Sequence, residues 1–170
     1  VVRYKYEFFK ENLFITGLSA VEKEILFAGL IAADLPDDKR YAFKRYNEQE
    51  EIALDGVYNF RLPPLKKKWK DVADYMPKVF IGAQLKEFIS YMLEDRKKRV
   101  YVSGDKVYDA HYRVLRRRAL LGGEGADVTR EVLLSGGGEV ELSGKIAEED
   151  EFYLKQYFGD KIYFSPVTHS

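Results

Sequence analysis

The sequence contains no cysteine and only one tryptophan among its 170 residues. Without cysteine the protein has no disulfide bond, no catalytic thiolate and no zinc site with cysteine ligands. This composition fits a protein of the reducing cytosol, so we predict a cytoplasmic location.

Long apolar segments are also missing. The longest uncharged apolar run covers residues 25–33, which is much shorter than the ~20 residues that a membrane-spanning helix needs. The first 14 residues carry charges throughout and do not look like a signal peptide. We therefore expect no membrane span.

The formal net charge is zero, but the charges are unevenly distributed. Residues 61–118 contain 16 Lys and Arg against 7 Asp and Glu, a net charge of +9, which leaves −9 for the rest of the chain. A basic middle with acidic ends suggests a surface for nucleic acid or anionic membrane. Packing of the two oppositely charged parts against each other explains it equally well.

Apolar residues recur at helical spacing in the first half of the chain. We predict helices over residues 2–14, 20–33, 37–51, 56–62, 65–76 and 83–97. Ser19 and Glu22 form a capping box at the start of the second helix. Trp69 lies on the apolar stripe of its helix, so we expect its indole to be buried.

The spacing of the apolar residues changes near residue 99. Residues 99–103 and 106–112 alternate like strands around a Gly-Asp turn, which predicts a β-hairpin. The pattern then predicts a helix over 128–134, a strand over 139–142, a helix over 146–158 and a strand over 161–164. A strand, a helix and a strand in this order predict a right-handed crossover with two parallel strands.

The predicted fold class is therefore α+β. An N-terminal helical bundle is followed by a small mixed β-sheet, made of the hairpin and the βαβ-like unit, with helices packed on it. The hydrophobic content of 46% supports a packed core. We assign residues 1–98 to the helical region and residues 99–170 to the small α+β region of one compact domain.

Three features that suggest chemistry have a simpler structural interpretation. The glycine runs at 122–125 and 136–138 lack the Lys-Ser/Thr of a phosphate loop. Asp109 and His111 point to the same side of a predicted strand, yet no nucleophile accompanies them. The acidic run at 148–151 lies in a first helical turn, where negative charge is stabilising. We predict no catalytic residue, no cofactor and no metal site.

Three basic groups remain, at residues 66–70, 96–99 and 113–118, with several tyrosines between the last two. Basic residues interleaved with aromatic ones are typical of nucleic-acid surfaces, although no known DNA- or RNA-binding motif is present. The residues that we predict to contact a partner or a nucleic acid are Lys66, Lys67, Lys70, Arg96, Arg99, Arg113, Arg116 and Arg117.

Several short segments resemble one family. The stretch at 55–62, which ends in Phe-Arg-Leu, resembles the F-x-F-R-L opening of the YtxC-like proteins of spore-forming bacteria, as does the amphipathic segment at 86–93. The closing order of short helix, strand, helix and Tyr-Phe-Gly-Asp-Lys-Ile (157–162) is also similar. The resemblance covers residues 54–164 and implies a cytoplasmic, non-enzymatic protein linked to sporulation, with no catalytic residue to carry over.

The leading prediction is a non-catalytic, sporulation-associated protein that binds a protein partner or forms a homo-oligomer. The helices on either side of Pro63 and Pro64 would form its contact surface. A nucleic-acid-binding domain that uses the three basic groups is the first alternative. An enzyme of unknown class, with a site around His111 and Asp109, is the second.

Overall fold

A computed structural model describes residues 2–33, 35–40 and 63–165. The described residues before Arg99 are mostly helical, and residues 35–40 also lie in a helix. Its helices are α1 (Val2–Asn12), α2 (Ala20–Ala32), α3 (Pro63–Tyr75) and α4 (Gly82–Leu93). The helix predicted over 56–62, and most of the one predicted over 37–51, lie outside the described residues.

Helix α2 is the centre of the helical part. Its start is fixed by the predicted capping box of Ser19 and Glu22, which is confirmed. From Ile25 onward the helix is buried on all sides, and it contacts both α1 and α4. Gly29 allows α4 to come close, because a Cβ at this position would lie 2.8 Å from Ile89 Cδ1.

The buried carboxylate of Asp38, in the helix at residues 35–40, connects α1 with α3. Asp38 accepts hydrogen bonds from Lys5 Nζ at 2.6 Å, Lys68 Nζ at 2.9 Å and the Trp69 indole N–H at 3.3 Å. Asp38 is fully buried and Lys5 nearly so. The Trp69 ring is 1% exposed and packs edge-on against Phe8, which confirms its predicted burial.

The change from helices to strands occurs at Arg99, as predicted. Five strands form one mixed sheet in the order β3-β2-β1-β4-β5. They are β1 (Arg99–Ser103), β2 (Lys106–Tyr108), β3 (Val114–Leu115), β4 (Glu139–Ser143) and β5 (Ile162–Phe164). β1 pairs antiparallel with β2 and parallel with β4, and β4 pairs parallel with β5. The predicted α+β fold, hairpin and parallel crossover are confirmed.

Two helices, α5 (Asp127–Ser135) and α6 (Glu148–Phe158), contact each other and cover one face of the sheet. The buried side chains of that face are Val100, Val102, Val107, Val140 and Leu142. Helix α2 packs against α5, and α4 packs against α6. The order of layers is therefore helical bundle, helix pair and sheet, and no helix of the described residues covers the other face of the sheet.

Arg130 on α5 connects the helix pair to the bundle. Its side chain is fully buried, and Nη1 lies 3.4 Å from a carboxylate oxygen of Glu24 on α2. The guanidinium also donates hydrogen bonds to the carbonyl oxygens of Gly122, Gly123 and Gly125. The glycine run at 122–125 is thus held in place by the buried guanidinium of Arg130.

The predicted end of α4 is wrong. The helix stops at Leu93, four residues before the predicted end, and residues 94 and 95 form a turn that leads into β1. Arg96 therefore does not lie in the last turn of α4. Its Nη1 donates instead to the carbonyl oxygen of Leu133 at the end of α5, at 3.3 Å.

The strand predicted over 106–112 and the connection after it also need correction. β2 ends at Tyr108, so His111 lies in a turn rather than on a strand. The following basic segment contains the short strand β3 and a 3₁₀ helix over Arg117–Leu120. Within the described residues, the sheet therefore has five strands instead of the predicted four.

Candidate functional site

The outer face of the sheet carries a row of side chains that crosses all five strands. The strand register places Tyr101 between Tyr108 and Glu141. Val114 and Tyr163 continue the row on the two edge strands. Paired residues on neighbouring strands point to the same face, so these five side chains lie opposite the layer of buried valines.

Within the described part of the chain this face is open to solvent. Val114 is 39% exposed, Tyr163 is 40% exposed, and Tyr112 in the adjacent loop is 68% exposed. All-parallel sheets are usually covered on both faces, whereas antiparallel sheets commonly leave one face to solvent. In this mixed sheet, α5 and α6 cover one face, and no other described helix covers the second. An uncovered face that carries an aromatic row is a candidate interaction surface.

We name this surface the tyrosine face. It consists of Tyr101, Tyr108, Tyr112 and Tyr163 together with Arg99, Glu139 and Glu141.

Arg99 is the central cation of the tyrosine face. Its Nε lies 3.3 Å from Glu139 Oε2 and its Nη1 lies 3.4 Å from Glu141 Oε1. Its Cζ atom lies 4.0 Å from the ring centroid of Tyr163, within the range of a cation–π contact. These contacts hold the guanidinium against the sheet, so its orientation is set before any partner arrives.

The loop after β2 adds a tyrosine to the face. Tyr112 has a φ of 60°, which is uncommon for a bulky residue, and its ring stacks on Tyr101 with centroids 4.8 Å apart. Asp109 Oδ1 holds this loop by accepting the backbone N–H groups of His111 and Arg113. The bond from the Arg113 backbone contributes most to lowering the pKa of Asp109. Desolvation is the main cause that raises the pKa of the Tyr101 hydroxyl.

The structure separates the predicted contact arginines. Arg99 lies on the tyrosine face and Arg113 lies at its edge, 3.2 Å from Asp109. Arg96 and Arg117 turn inward and donate to carbonyl oxygens at the end of α5, at 3.3 and 2.7 Å. Burial lowers the pKa of Arg96. Both arginines are half-buried, and these hydrogen bonds connect them to the end of α5.

The remaining predicted residues lie elsewhere. Lys66, Lys67 and Lys70 are on α3, in the helical part of the molecule, where Lys70 pairs with Asp74 at 2.8 Å. Arg116 lines a cavity at the edge of the sheet. The predicted basic residues are therefore divided among α3, the tyrosine face, the end of α5 and this cavity.

Asp109 and the acidic run at 148–151, which suggest chemistry in the sequence, form hydrogen bonds that stabilise the fold. Asp109 binds the backbone N–H of His111 at 2.8 Å, which fixes a turn. In the acidic run, Asp150 is buried and accepts hydrogen bonds from the backbone N–H and the hydroxyl of Thr129, at 2.9 Å each. It therefore joins α6 to the first turn of α5. Among the described residues, no group of three or more His, Asp or Glu side chains is placed to hold a metal ion.

The contact residues predicted from the sequence do not include Tyr163, Glu139 or Glu141. Their alternation with buried residues indicates that they point outward from their strands. The strand order decides which of them become neighbours of Arg99 and Tyr101, and this order depends on contacts between distant segments. The alternation was the only signal that could have identified them.

Each helix in the described residues is too short or too polar to cross a lipid bilayer. Comparisons with protein-family models, curated proteins and solved structures find no match to this chain. The resemblance to the YtxC-like proteins therefore stays a prediction.

Proposed function

We propose that this protein acts by binding another protein on its tyrosine face. The observation that carries the proposal is the row of Val114, Tyr108, Tyr101, Glu141 and Tyr163 on the face of the mixed sheet that no described helix covers. Tyrosine and arginine are enriched at protein–protein interfaces, because they combine a large contact area with a hydrogen-bonding group. The contact surface proposed here is the sheet and not the helices around Pro63 and Pro64.

The charges of this surface favour a protein over a nucleic acid. Glu139 and Glu141 lie at its centre, and they neutralise Arg99. At the edge, Asp109 neutralises Arg113. A nucleic acid would need a net positive groove along its phosphates, whereas a balanced surface with aromatic rings suits a protein partner.

Nucleic-acid binding remains the second candidate. It is favoured by the stacked rings of Tyr101 and Tyr112, on which a base could stack, and by Arg113 beside them. An enzyme has no comparable support. The link to sporulation rests on the family resemblance alone and is proposed only as the setting in which the partner is sought.

Site-specific photocrosslinking tests the proposal. A photoreactive benzoylphenylalanine at position 108 lies in the tyrosine face, whereas the same residue at position 75 replaces a tyrosine that is 92% exposed on α3. In the cells that produce the protein, we expect position 108 to crosslink to a discrete protein and position 75 not to. The crosslink should weaken at least about tenfold with Glu141→Lys, which reverses a central charge of the face.

Two results of the crosslinking experiment would contradict the proposal. Identical products from positions 108 and 75 would show non-specific contact, and no product from position 108 would remove the proposal. Binding of a fluorescent single-stranded oligonucleotide by the purified protein, lost in salt and in Tyr112→Ala, would favour the second candidate instead.

A further inference from the structure

A cavity of about 310 Å³ lies at the edge of the sheet, beside the edge strand β3 and its residue Val114. Its apolar lining includes Val107 and Leu115, which belong to β2 and β3. Lys106, Arg116 and Arg118 line it as well. The volume is at the lower end of the range that small-molecule sites occupy.

The basic segment next to the cavity is held in one conformation. Glu131 on α5 is 6% exposed, and its two carboxylate oxygens accept the backbone N–H groups of Arg117 at 2.9 Å and Arg118 at 3.2 Å. The Arg117 side chain turns inward and donates to the carbonyl oxygen of Leu134 at 2.7 Å. Arg116 and Arg118, on either side of it, both line the cavity. Of these three consecutive arginines, Arg117 thus stabilises the fold, whereas Arg116 and Arg118 face the cavity.

Three carboxylates line the cavity. Two of them, Glu131 and Asp127, are occupied by contacts within the protein, whereas Asp105 is exposed on the turn between β1 and β2 and forms no ion pair within the described residues. Both oxygens of Glu131 receive backbone hydrogen bonds, and Asp127 lies 3.6 Å from Arg118 and 3.4 Å from Arg130. In contrast, Lys106 and Arg116 form no ion pair within the described residues. The cavity therefore offers two cations with unused hydrogen-bond donors above an apolar floor.

We propose that this cavity binds a small organic anion. The phosphate or carboxylate group of the ligand would contact Arg116 and Lys106, since both side chains donate charge-assisted hydrogen bonds. A ring or short apolar portion would pack on Val107 and Leu115. This inference does not depend on the tyrosine face, and neither proposal requires the other.

Phenyl phosphate, inorganic phosphate and benzyl alcohol are suitable probes, because they separate the charged part from the apolar part. In titrations followed by amide NMR shifts, we expect phenyl phosphate to shift residues 105–107 and 114–118 and to saturate below about 5 mM. Either Arg116→Gln or Lys106→Gln should weaken it at least about fivefold, as expected for loss of a charged hydrogen bond. The matched controls are Arg3→Gln and Lys86→Gln, on α1 and α4, which should bind like the wild type.

Four results would overturn the proposal. The first is the absence of saturable shifts, and the second is a set of shifts spread over the basic surface instead of the cavity. The third is equal affinity in Arg116→Gln, Lys106→Gln and the two controls. The fourth is binding of inorganic phosphate as tight as that of phenyl phosphate, which would show that the apolar floor contributes nothing. The NMR spectra of the variants also report whether each one is folded.

Discussion

The helical part and the tyrosine face use the same kinds of side chain under opposite conditions. In the helical part, Lys5 and Asp38 form an ion pair at 2.6 Å that is almost completely buried. On the tyrosine face, Arg99 pairs with Glu139 and Glu141 at 3.3 and 3.4 Å, and all three side chains are about one-third exposed.

This difference separates the charged side chains that stabilise the fold from those that are available to bind a partner. A buried charge is expensive to leave without its counter-charge, so a buried ion pair is committed to the structure. A solvent-exposed pair is worth little to stability and can exchange its contacts for those of an incoming surface. We therefore expect changes in the helical part to affect folding and changes on the tyrosine face to affect binding.

The largest effect is expected at Asp38. Asp38→Ala removes the carboxylate that faces the buried ammonium of Lys5 and should lower the free energy of unfolding by about 3–5 kcal/mol. Urea denaturation followed by tryptophan fluorescence measures this directly, since Trp69 donates to the same carboxylate. Asp74→Ala is the control, because Asp74 and Lys70 form an exposed pair, and it should cost less than about 1 kcal/mol. Equal losses in both variants would remove the distinction between the two kinds of pair.

The next effect is expected at Arg130, which connects α5 to the helical bundle. Arg130→Met should cost about 3 kcal/mol, because it leaves the carbonyl oxygens of Gly122, Gly123 and Gly125 without their donor. Hydrogen exchange should speed up most at residues 122–125 and at the start of α5. Unchanged exchange there, with a general loss of stability, would argue against a local role for this guanidinium.

A smaller effect is expected for aromatic truncation on the tyrosine face. Tyr163→Ala should cost about 1 kcal/mol or less, since the side chain is 40% exposed, but it should weaken capture of the partner. Trp69→Ala, in the helical part, should cost about 3–5 kcal/mol. Thermal unfolding and the photocrosslinking yield, measured on both variants, show whether stability and binding separate as proposed.

The smallest effect is expected at Asp109. Hydrogen bonds from the Arg113 and His111 backbones lower the pKa of its carboxyl below the ordinary value of 3.8. A depressed pKa in the folded state stabilises the protein above that ordinary value, and this contribution disappears as the pH falls through the folded pKa. Wild type should therefore exceed Asp109→Asn in stability at pH 7 and lose its advantage in strong acid. A carboxyl NMR titration with a midpoint above 3.8 would contradict the assignment.

Local patterns in the sequence were sufficient for most elements of the fold. Apolar spacing predicted α2 and the burial of Trp69, and the change to alternation predicted β1 at Arg99. The two-residue strand β3 could not be predicted, because its pairing with β2 lies within a basic segment that has no strand pattern of its own. Short strands of this kind are defined by their neighbours.

The buried polar contacts were not predictable for a similar reason. Lys5 and Asp38 are 33 residues apart, and Glu24 and Arg130 are 106 residues apart. Charged residues on predicted helices are expected at the surface, so only the tertiary structure identifies the ones that are buried. The tyrosine face was partly predictable, since Tyr101, Tyr108 and Tyr112 lie in the predicted hairpin, but its glutamates and Tyr163 depend on the strand order.

Tyrosine accessibility tests the central claim most directly. Tyr112 and Tyr163 can be nitrated in the purified protein and in a fresh extract of its own cells, with Tyr75 on α3 as the internal control. We expect all three to be modified in the purified protein, and only Tyr112 and Tyr163 to be protected in the extract. Equal modification of all three in both samples, or protection of the two face residues already in the purified protein, would contradict an open face that awaits a partner.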